Sequence, residues 1–312
     1  MHNVVIPDDF PSVIADSAAL TRLKMLPDTS VKVHVSQPSG ESGLASRIVK
    51  ANTVLISRSV SLLTPAVVAS AHNLQHVILL GATSEETDPR LAAIHHVRFT
   101  YASSGPNDSV AEHTLALMLA LAHKVPELDQ RVRSGEWPRG LITQLSGKTL
   151  GIVGTGRSGG RLAHLARGIG MGVVVCQQPE PSGQGAEKNK SELAELLAAA
   201  DVVSMHAHVA GSPTGLFSAR HFAMMKASAL FVSAERHGLV DERALASALT
   251  TQVISGAALD VFDQEPLPRD SALLYLPSVI LSPHTGGLTP ESVDASLDTA
   301  INSAAEFIRG KR

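Results

Sequence analysis

The amino-acid sequence predicts an α/β protein built from two doubly wound parallel sheets. The first hundred residues alternate short β-branched runs with helix-like stretches, which is the pattern of a parallel sheet wrapped by helices. A second alternating series begins at Lys148, and no sequence repeat relates the two series. The length of 312 residues also favours two domains, at roughly 150 residues per domain.

Five strands and four helices are predicted in the first series. The strand candidates are residues 3–7, 31–35, 53–57, 76–81 and 96–100, which are short runs rich in Val, Ile and Leu. The helix candidates are residues 15–25, 42–50, 65–71 and 89–95. Because strands and helices take turns along the chain, we interpret this part as one βα domain.

The chain changes character at SSGPND, residues 103–108. An apolar helix of about 16 residues follows this turn-rich segment, with Ser109 as its predicted N-cap. The second series then predicts a second parallel sheet. Its candidate strands are TLGIVG, GVVVCQ, DVVSMH, ALFVS, VISGAALD and SVILS.

A final helix is predicted from Thr289 onward, because an apolar stripe recurs there at helical spacing. The stripe consists of Val293, Leu297, Ile301, Ala305 and Ile308. We expect this helix to complete the first domain. The predicted organisation is therefore a first domain of residues 1–103 and 286–312, with residues 104–285 inserted as a second domain.

The composition argues against several classes of partner. Lys and Arg total 26 against 29 Asp and Glu, a net charge of −3, so we expect no nucleic-acid partner. The longest apolar helical segment, Thr114 to Ala122, has nine residues where a membrane span needs about 20, so no membrane partner is expected either. A single cysteine, Cys176, fits a reducing compartment, and the N-terminus lacks a secretory pattern. We expect a globular cytoplasmic protein.

The strongest cofactor motif is GxGxxG in TLGIVGTGRSGGRLAHL, between a predicted strand and a predicted helix. Gly154 permits the tight turn, Gly156 lets a pyrophosphate approach the backbone, and Gly159 lets the helix pack closely on the sheet. Unpaired N–H groups at the start of the helix suit phosphate. An isolated motif of this kind also fits an ordinary glycine turn, but this context predicts a Rossmann-like domain that binds a dinucleotide.

The choice between NAD and NADP depends on the end of the next strand. Gln177 stands there, at the position where a carboxylate usually binds the ribose hydroxyls. A glutamine can bond to a hydroxyl without repelling a 2′-phosphate, yet the following QPEPSGQG contains no arginine to hold such a phosphate. Both cofactors stay open, with a slight preference for NAD.

Polar residues follow three later strands, at the edge where a parallel sheet places its ligands. Arg236 follows one strand, Asp260 and Glu265 lie in GAALDVFDQEPLP, and His284 lies in LSPHTGG. Together with the glycine turn, these segments resemble the D-isomer-specific 2-hydroxyacid dehydrogenase family over residues 74–289. The resemblance implies that residues 104–285 bind the dinucleotide and that the first domain is the substrate-side domain.

The resemblance also implies a catalytic set of Arg236, Glu265 and His284. The planar guanidinium of Arg236 suits the substrate carboxylate and can polarise the neighbouring carbonyl. His284 would exchange a proton with the substrate oxygen, and Glu265 would orient its imidazole. Ala82 and Thr83, in the loop GATSEETD, would contact the substrate together with Arg236 and His284.

Cofactor contacts are implied at several further positions. Asp260 would face the nicotinamide carboxamide, Arg157 the pyrophosphate, and His206 would line the cofactor cleft. The full expected set is Gly154, Gly156, Arg157, Ser158, Gln177, His206, Ala234, Asp260, His284 and Gly287. His206 and His208 have no third metal ligand, so no metal is expected, and other histidines such as His113 are interpreted as structural.

These residues predict reversible hydride transfer between NAD(P)H and a small 2-oxo acid such as glyoxylate or hydroxypyruvate. The alternative is a dinucleotide-sensing binding protein without significant turnover, like the corepressor relatives of the family. The complete set of Arg236, Glu265 and His284 favours the enzyme. The family further implies a homodimer joined through the long helix near residues 110–125.

Overall fold

The computed structural model describes residues 1–10, 12–57, 62–80, 87–102, 107–154, 156–177, 186–207, 217–234 and 238–310, with the backbone alone for residues 186–190. These residues form two compact units. Unit 1 comprises Met1–Pro106 and Leu288–Arg312, and unit 2 comprises Asn107–Gly287. Each unit contains a parallel sheet with helices, and unit 2 is inserted into unit 1. The predicted fold class is confirmed.

The sheet of unit 1 has five parallel strands in the order β2-β1-β3-β4-β5. Its strands are β1 (His2–Ile6), β2 (Thr29–Val33), β3 (Thr53–Ile56), β4 (His76–Leu80) and β5 (Arg98–Ala102). Every residue of β3 and β4 is buried. This agrees with the β-branched and leucine-rich sequences of these two strands, because a central strand of a parallel sheet is covered on both faces.

Four helices belong to unit 1. They are α1 (Ala18–Lys24), α2 (Gly40–Ile48), α3 (Pro65–Ala69) and α10 (Pro290–Arg309). The predicted apolar stripe of α10 is confirmed, since Leu297 and Ile301 join the core of unit 1 and the helix packs on α1, β4 and β5. The fourth helix predicted in the first series is wrong: the chain forms only a 3-10 helix, Pro89–Ala93, because Ile94 leaves the helical region at φ −90° and ψ 81°.

The sheet of unit 2 has six parallel strands in the order β11-β10-β9-β8-β6-β7. The strands are β6 (Thr149–Val153), β7 (Gly172–Cys176), β8 (Val202–Met205), β9 (Leu230–Ser233), β10 (Gly256–Leu259) and β11 (Val279–Leu281). From β6, the chain adds β7 on one side and β8 to β11 on the other. The strand order therefore reverses between β6 and β8, which is where a doubly wound sheet binds ligands beyond its carboxyl ends.

The helices of unit 2 are α4 (Asn107–Ala122), α5 (Val125–Arg133), α6 (Arg157–Gly168), α7 (Ala186–Ala199), α8 (Ala219–Phe222) and α9 (Glu242–Thr250). The apolar side of α4 packs on α6, β9 and β10. The prediction of Ser109 as the N-cap of this helix is wrong, because the helix already begins at Asn107 and Ser109 lies buried in its first turn. Among the described residues, none of the helices combines the length and apolar character that crossing a bilayer requires.

Candidate active site

The glycine turn follows β6 at the point where the strand order reverses. Gly154 has φ +109°, and a Cβ on this residue would overlap the main-chain carbonyl of His206 and come within 2.6 Å of the amide nitrogen of Ala207. At Gly159, a Cβ would lie 3.0 Å from the Cβ of His206 and 3.2 Å from Cγ2 of Ile152. Gly154 therefore requires glycine for both its backbone conformation and its close contacts, whereas at Gly159 the short contacts favour glycine for close packing of the helix on the sheet.

The start of α6 meets the requirements of a pyrophosphate site. Gly156 is the N-cap, in an extended conformation, and has no side chain that would compete with a ligand for the N–H groups of the first turn. No acidic residue lies in that first turn. Arg157 is exposed at the first position of the helix. The partial positive charge at the start of a 12-residue helix suits the phosphates of a dinucleotide, so this segment fits the predicted cofactor.

His206 lies beneath the turn. Its imidazole is 2% exposed, with Nδ1 3.2 Å from Oγ of Ser158 and Nε2 2.9 Å from Oγ of Ser204. Its backbone N–H donates to the carbonyl of Val153 over 2.7 Å. His206 is expected to line the cofactor cleft, but the described contacts of its ring are with the protein. The ring supports the turn through Ser158, which is itself 8% exposed.

Gln177 lies beside the turn. β7 ends at Cys176, whose carbonyl accepts a 2.9 Å hydrogen bond from the N–H of Gly154. Gln177 is the next residue and is exposed. The structure thus places an amide side chain next to the glycine turn, at the position expected to meet the ribose. The segment 178–185 that follows lies outside the described residues.

Glu265 and His284 form a hydrogen-bonded pair. Nδ1 of His284 lies 2.8 Å from Oε2 of Glu265, and the other carboxylate oxygen, Oε1, accepts a 3.0 Å bond from the backbone N–H of Phe262. The side chain of His284 is 55% exposed and that of Glu265 is 35% exposed. Glu265 therefore binds Nδ1 of the imidazole. The other ring nitrogen, Nε2, belongs to His284, whose side chain is more exposed than that of Glu265.

The backbone of His284 has an unusual conformation. Its φ is +56°, in the left-handed region that residues other than glycine rarely adopt. Its N–H donates to the carbonyl of Ser282 over 3.0 Å. Such a conformation costs about 1–3 kcal/mol and persists only where neighbouring contacts fix it. Backbone outliers of this kind cluster at functional sites, and here the outlier carries the predicted acid/base residue.

Asp260 supplies contacts that fix this segment. It follows β10 and is 1% exposed. Its Oδ1 accepts a 2.9 Å bond from the N–H of Thr285, and its Oδ2 accepts a 2.8 Å bond from the N–H of Gly286. Asp260 is expected to face the nicotinamide carboxamide, whereas its described hydrogen bonds connect it to the residues directly after His284.

Sequence reasoning missed His113 on α4. Its Nε2 lies 3.1 Å from Oγ of Ser282 and 3.3 Å from Oδ1 of Asp260. In the sequence, His113 belongs to no recognisable group of site residues and is interpreted as structural; its partners Asp260 and Ser282 lie far away along the chain. No pattern of neighbouring residues in the sequence predicts such a contact. The fold alone brings α4 against the ends of β10 and β11.

The carboxylate of Glu242 lies near that of Glu265. The main-chain N–H of Asp263 donates to Oε1 of Glu242 over 2.7 Å. Burial raises the pKa of the Glu242 carboxyl, and the negative charges of Asp263 and Glu265 act in the same direction. The residues around Glu265 therefore form an acidic environment beside the exposed imidazole.

Of the remaining predicted residues, some are described by the structure and others lie outside the described residues. Ala234 is 7% exposed directly after β9, and Gly287 is half-buried three residues beyond His284. Arg236, Ala82 and Thr83 lie outside the described residues, as does His208. Within the described part of the chain, no cluster of three or more His, Cys, Asp or Glu side chains is arranged for a metal ion.

Comparison with known proteins identifies relatives of the whole chain. A sequence profile described as D-isomer specific 2-hydroxyacid dehydrogenase, NAD binding domain, matches residues 115–286. The chain is 32% identical to glyoxylate/hydroxypyruvate reductase B of Citrobacter koseri, over 98% of this chain and 93% of that protein. It is 33% identical to D-3-phosphoglycerate dehydrogenase of Methanocaldococcus jannaschii, over 84% of this chain and 51% of that protein.

A solved structure gives the same result for the fold. The crystal structure of phosphoglycerate oxidoreductase from Vibrio cholerae o395 has a TM-score of 0.84 and 28% sequence identity, covering 99% of this chain and 100% of that chain. The chain thus spans about half the length of the archaeal phosphoglycerate dehydrogenase, and nearly all of the Citrobacter reductase and the Vibrio protein.

Proposed function

Because the chain belongs to the D-isomer specific 2-hydroxyacid dehydrogenase family, we propose that it reversibly transfers a hydride between NAD(P)H and a small 2-oxo acid. The observation that carries this proposal is the 2.8 Å contact between Nδ1 of His284 and Oε2 of Glu265. The pair follows strands β10 and β11 of the unit that the NAD-binding profile matches. A histidine held in this way at a ligand-binding edge suits acid/base chemistry.

The contacts of the pair support a path for the proton. Nδ1–H of His284 donates to Glu265, whose carboxylate is fixed in turn by the N–H of Phe262. Nε2 is then the atom that exchanges a proton with the substrate oxygen. In the reductive direction, protonated Nε2 gives its proton to the carbonyl oxygen, and in the oxidative direction the neutral Nε2 accepts the hydroxyl proton. The nicotinamide ring supplies or accepts the hydride when the cofactor is bound.

The substrate class of the proposal is a small, unphosphorylated 2-oxo acid, similar to glyoxylate or hydroxypyruvate. It is supported by the relative from Citrobacter koseri, which is named for these two substrates and aligns over 93% of its own length. We assign the substrate carboxylate to Arg236, whose planar fork can bind it through two hydrogen bonds. Ala82 and Thr83 complete the proposed substrate contacts, which makes unit 1 the substrate-side domain.

We assign NAD, rather than NADP, as the preferred cofactor. Gln177 is exposed beside the glycine turn and can hydrogen-bond to ribose hydroxyls. The residues that follow it, QPEPSGQG, include no arginine, which is the side chain best suited to a 2′-phosphate. Cofactor binding would also use Gly154, Gly156, Arg157, Ser158, His206, Ala234, Asp260, His284 and Gly287.

The proposed assembly is a homodimer, and its contact surface differs from the one expected. The apolar residues Leu117 and Met118 of α4 are buried in the core of unit 2. By contrast, no residue of α5 is buried in the described chain, and Trp137 and Leu141 after it are 75% and 95% exposed. We therefore assign the contact with a second copy to residues 125–142.

The single buried cysteine also fits a cytoplasmic location.

A panel of 2-oxo acids tests the proposal. Glyoxylate, hydroxypyruvate, pyruvate and a phosphorylated three-carbon 2-oxo acid are each incubated with NADH and with NADPH, and the absorbance of the reduced nicotinamide is followed. We expect turnover with the unphosphorylated acids and faster turnover with NADH. Tight nucleotide binding without turnover on any acid would instead support the dinucleotide-sensing alternative.

A further inference from the structure

His113 connects α4 to the segment that carries His284. Its Nε2 is 3.1 Å from Oγ of Ser282 and 3.3 Å from Oδ1 of Asp260. Oγ of Ser282 is in turn 3.0 Å from Oγ1 of Thr285. Asp260 also accepts the N–H group of Thr285. A single ring nitrogen therefore contacts two groups, Oγ of Ser282 and the carboxylate of Asp260, that both bond to Thr285, the residue directly after His284.

The segment around His284 depends on these contacts for its shape. His284 has φ +56°, so its backbone is strained and needs restraint from its neighbours. Gly286, in the same segment, also packs closely against Asp260 and His113. A Cβ on Gly286 would lie 3.0 Å from Oδ2 of Asp260 and 3.2 Å from Cδ2 of His113. Any shift of Asp260 or of the His113 ring would therefore reach the backbone of the predicted acid/base residue.

The contacts also determine which ring nitrogen of His113 carries a hydrogen. A bare Nε2 would place its lone pair 3.3 Å from a carboxylate oxygen, which is repulsive. With a hydrogen on Nε2, the ring donates to Oγ of Ser282 over 3.1 Å, and the same N–H group lies 3.3 Å from the negatively charged Oδ1 of Asp260. A buried carboxylate needs such donors, because an unsatisfied charge in the interior is costly. The geometry thus favours His113 as a donor.

We propose that His113 is a positioning residue for the reaction: its Nε2–H holds Asp260 and Ser282 in place and so fixes the left-handed backbone from which His284 meets Glu265. His113 itself touches neither the substrate nor the reacting atoms. This inference rests on the proposed function, since it takes His284 to be the residue that exchanges the proton.

Two substitutions separate the N–H group of His113 from its bulk. His113→Leu keeps a similar volume and removes the donor, whereas His113→Gln places an amide N–H close to the position of Nε2. Because displacing an acid/base group by a fraction of an ångström slows the chemical step, we expect His113→Leu to lower kcat by at least about tenfold. KM for the 2-oxo acid and Kd for NADH should change much less than kcat.

The conservative variant and a matched control complete the experiment. His113→Gln should restore kcat to near the wild-type value, which simple loss of packing would not predict. His164→Leu, at an exposed histidine of α6, should leave kcat, KM and Kd unchanged. If His113→Leu does not fold, Ser282→Ala removes one of the two acceptors of His113 and should also lower kcat while sparing Kd for NADH.

Several results would overturn the inference. Wild-type kcat in His113→Leu would remove the positioning role, and so would a His113→Gln variant as slow as His113→Leu. Equal losses of kcat and NADH affinity would indicate a purely structural role. His284→Ala in the same assay keeps the two hypotheses apart. If His284→Ala retains turnover, the proposed function itself is contradicted. If His284→Ala is slow and His113→Leu is as fast as the wild-type protein, the proposed function stands and the positioning role of His113 is contradicted.

Discussion

The main-chain carbonyl of His206 occupies the space that a side chain on Gly154 would need. Gly154 also has φ +109°, which costs a residue with a Cβ about 1–3 kcal/mol even where space is free. We therefore predict that Gly154→Ala lowers the Tm and weakens NADH binding at least about tenfold, because the turn must shift away from its phosphate-binding geometry. Differential scanning fluorimetry and a fluorescence titration with NADH measure the two effects.

Gly160 provides the matched control. It lies in α6, six residues along the chain from Gly154, and a Cβ there would meet no atom within 4 Å. Gly160→Ala should leave NADH affinity unchanged and stabilise the protein by up to about 1 kcal/mol, since alanine favours a helix more than glycine does. Equal tolerance of alanine at both positions would contradict the packing assigned to the turn.

Removal of the Ser158 hydroxyl tests the support beneath the turn. Ser158→Ala deletes the 3.2 Å contact to Nδ1 of His206, and such a buried hydrogen bond contributes about 1 kcal/mol. Because the start of α6 loses this support, we expect NADH affinity to fall by up to roughly fivefold, the change in Kd that about 1 kcal/mol corresponds to. The measurement is the Kd for NADH at constant ionic strength. An unchanged Kd would mean that the His206 ring does not set the position of α6.

The stability of unit 2 should depend on pH through His221. Its imidazole is 4% exposed, stacks on Phe217 at 5.0 Å, and accepts a 3.0 Å bond from the N–H of Ser218 at Nδ1. Burial lowers the pKa of His221 to about 4, with the nearby Arg220 acting in the same direction. The unfolded chain binds a proton near pH 6.5, so stability is lost as pH falls from about 6.5 to 4.

The size of this effect is bounded by the shift in pKa. The full interval corresponds to about 3 kcal/mol of unfolding free energy. His221→Asn places Oδ1 close to the position of Nδ1, so it keeps an acceptor for Ser218, and it cannot titrate; its stability should therefore fall less steeply over the same interval. Urea unfolding of both proteins at pH 7, 5.5 and 4.5 gives the comparison. Parallel curves for the two proteins would show that His221 does not contribute.

The proposed dimer surface is tested by charge. Leu141 is 95% exposed and lies in the segment after α5. We predict that Leu141→Lys shifts the protein from a dimer to a monomer in sedimentation velocity, because a charge buried in an apolar contact is unfavourable. Met25→Lys, at another exposed apolar residue but in unit 1, should leave the assembly unchanged. A wild-type protein that sediments as a monomer would remove the proposal.

Much of the fold follows from the sequence, because periodicity and the glycine turn are local signals. The alternation of strands and helices predicts both sheets, and the stripe that includes Leu297 and Ile301 predicts the long C-terminal helix. Local signals failed at helix ends. Ser109 has the side chain of a good N-cap but lies inside α4, and the proline at position 89 starts only a 3-10 turn.

The sequence also predicted the pairing of Glu265 with His284, since a family resemblance supplied what spacing alone does not. It did not predict the contacts around them. Asp260 and His113 meet only after α4 and β10 pack together, and no pattern of neighbouring residues encodes that approach. Likewise, the contact of His206 with Ser158 depends on the space that Gly159 leaves between helix and sheet. Long-range contacts of this kind require the structure.

The most direct test of the central claim is the pair of constants, kcat for glyoxylate reduction and Kd for NADH, measured on one preparation of His284→Ala. Since general acid/base catalysis contributes about 10²- to 10⁴-fold, we predict a loss of kcat in that range with a Kd within about twofold of the wild-type value. A kcat close to that of the wild-type protein, or a loss of NADH affinity as large as the loss of kcat, would contradict the role assigned to His284.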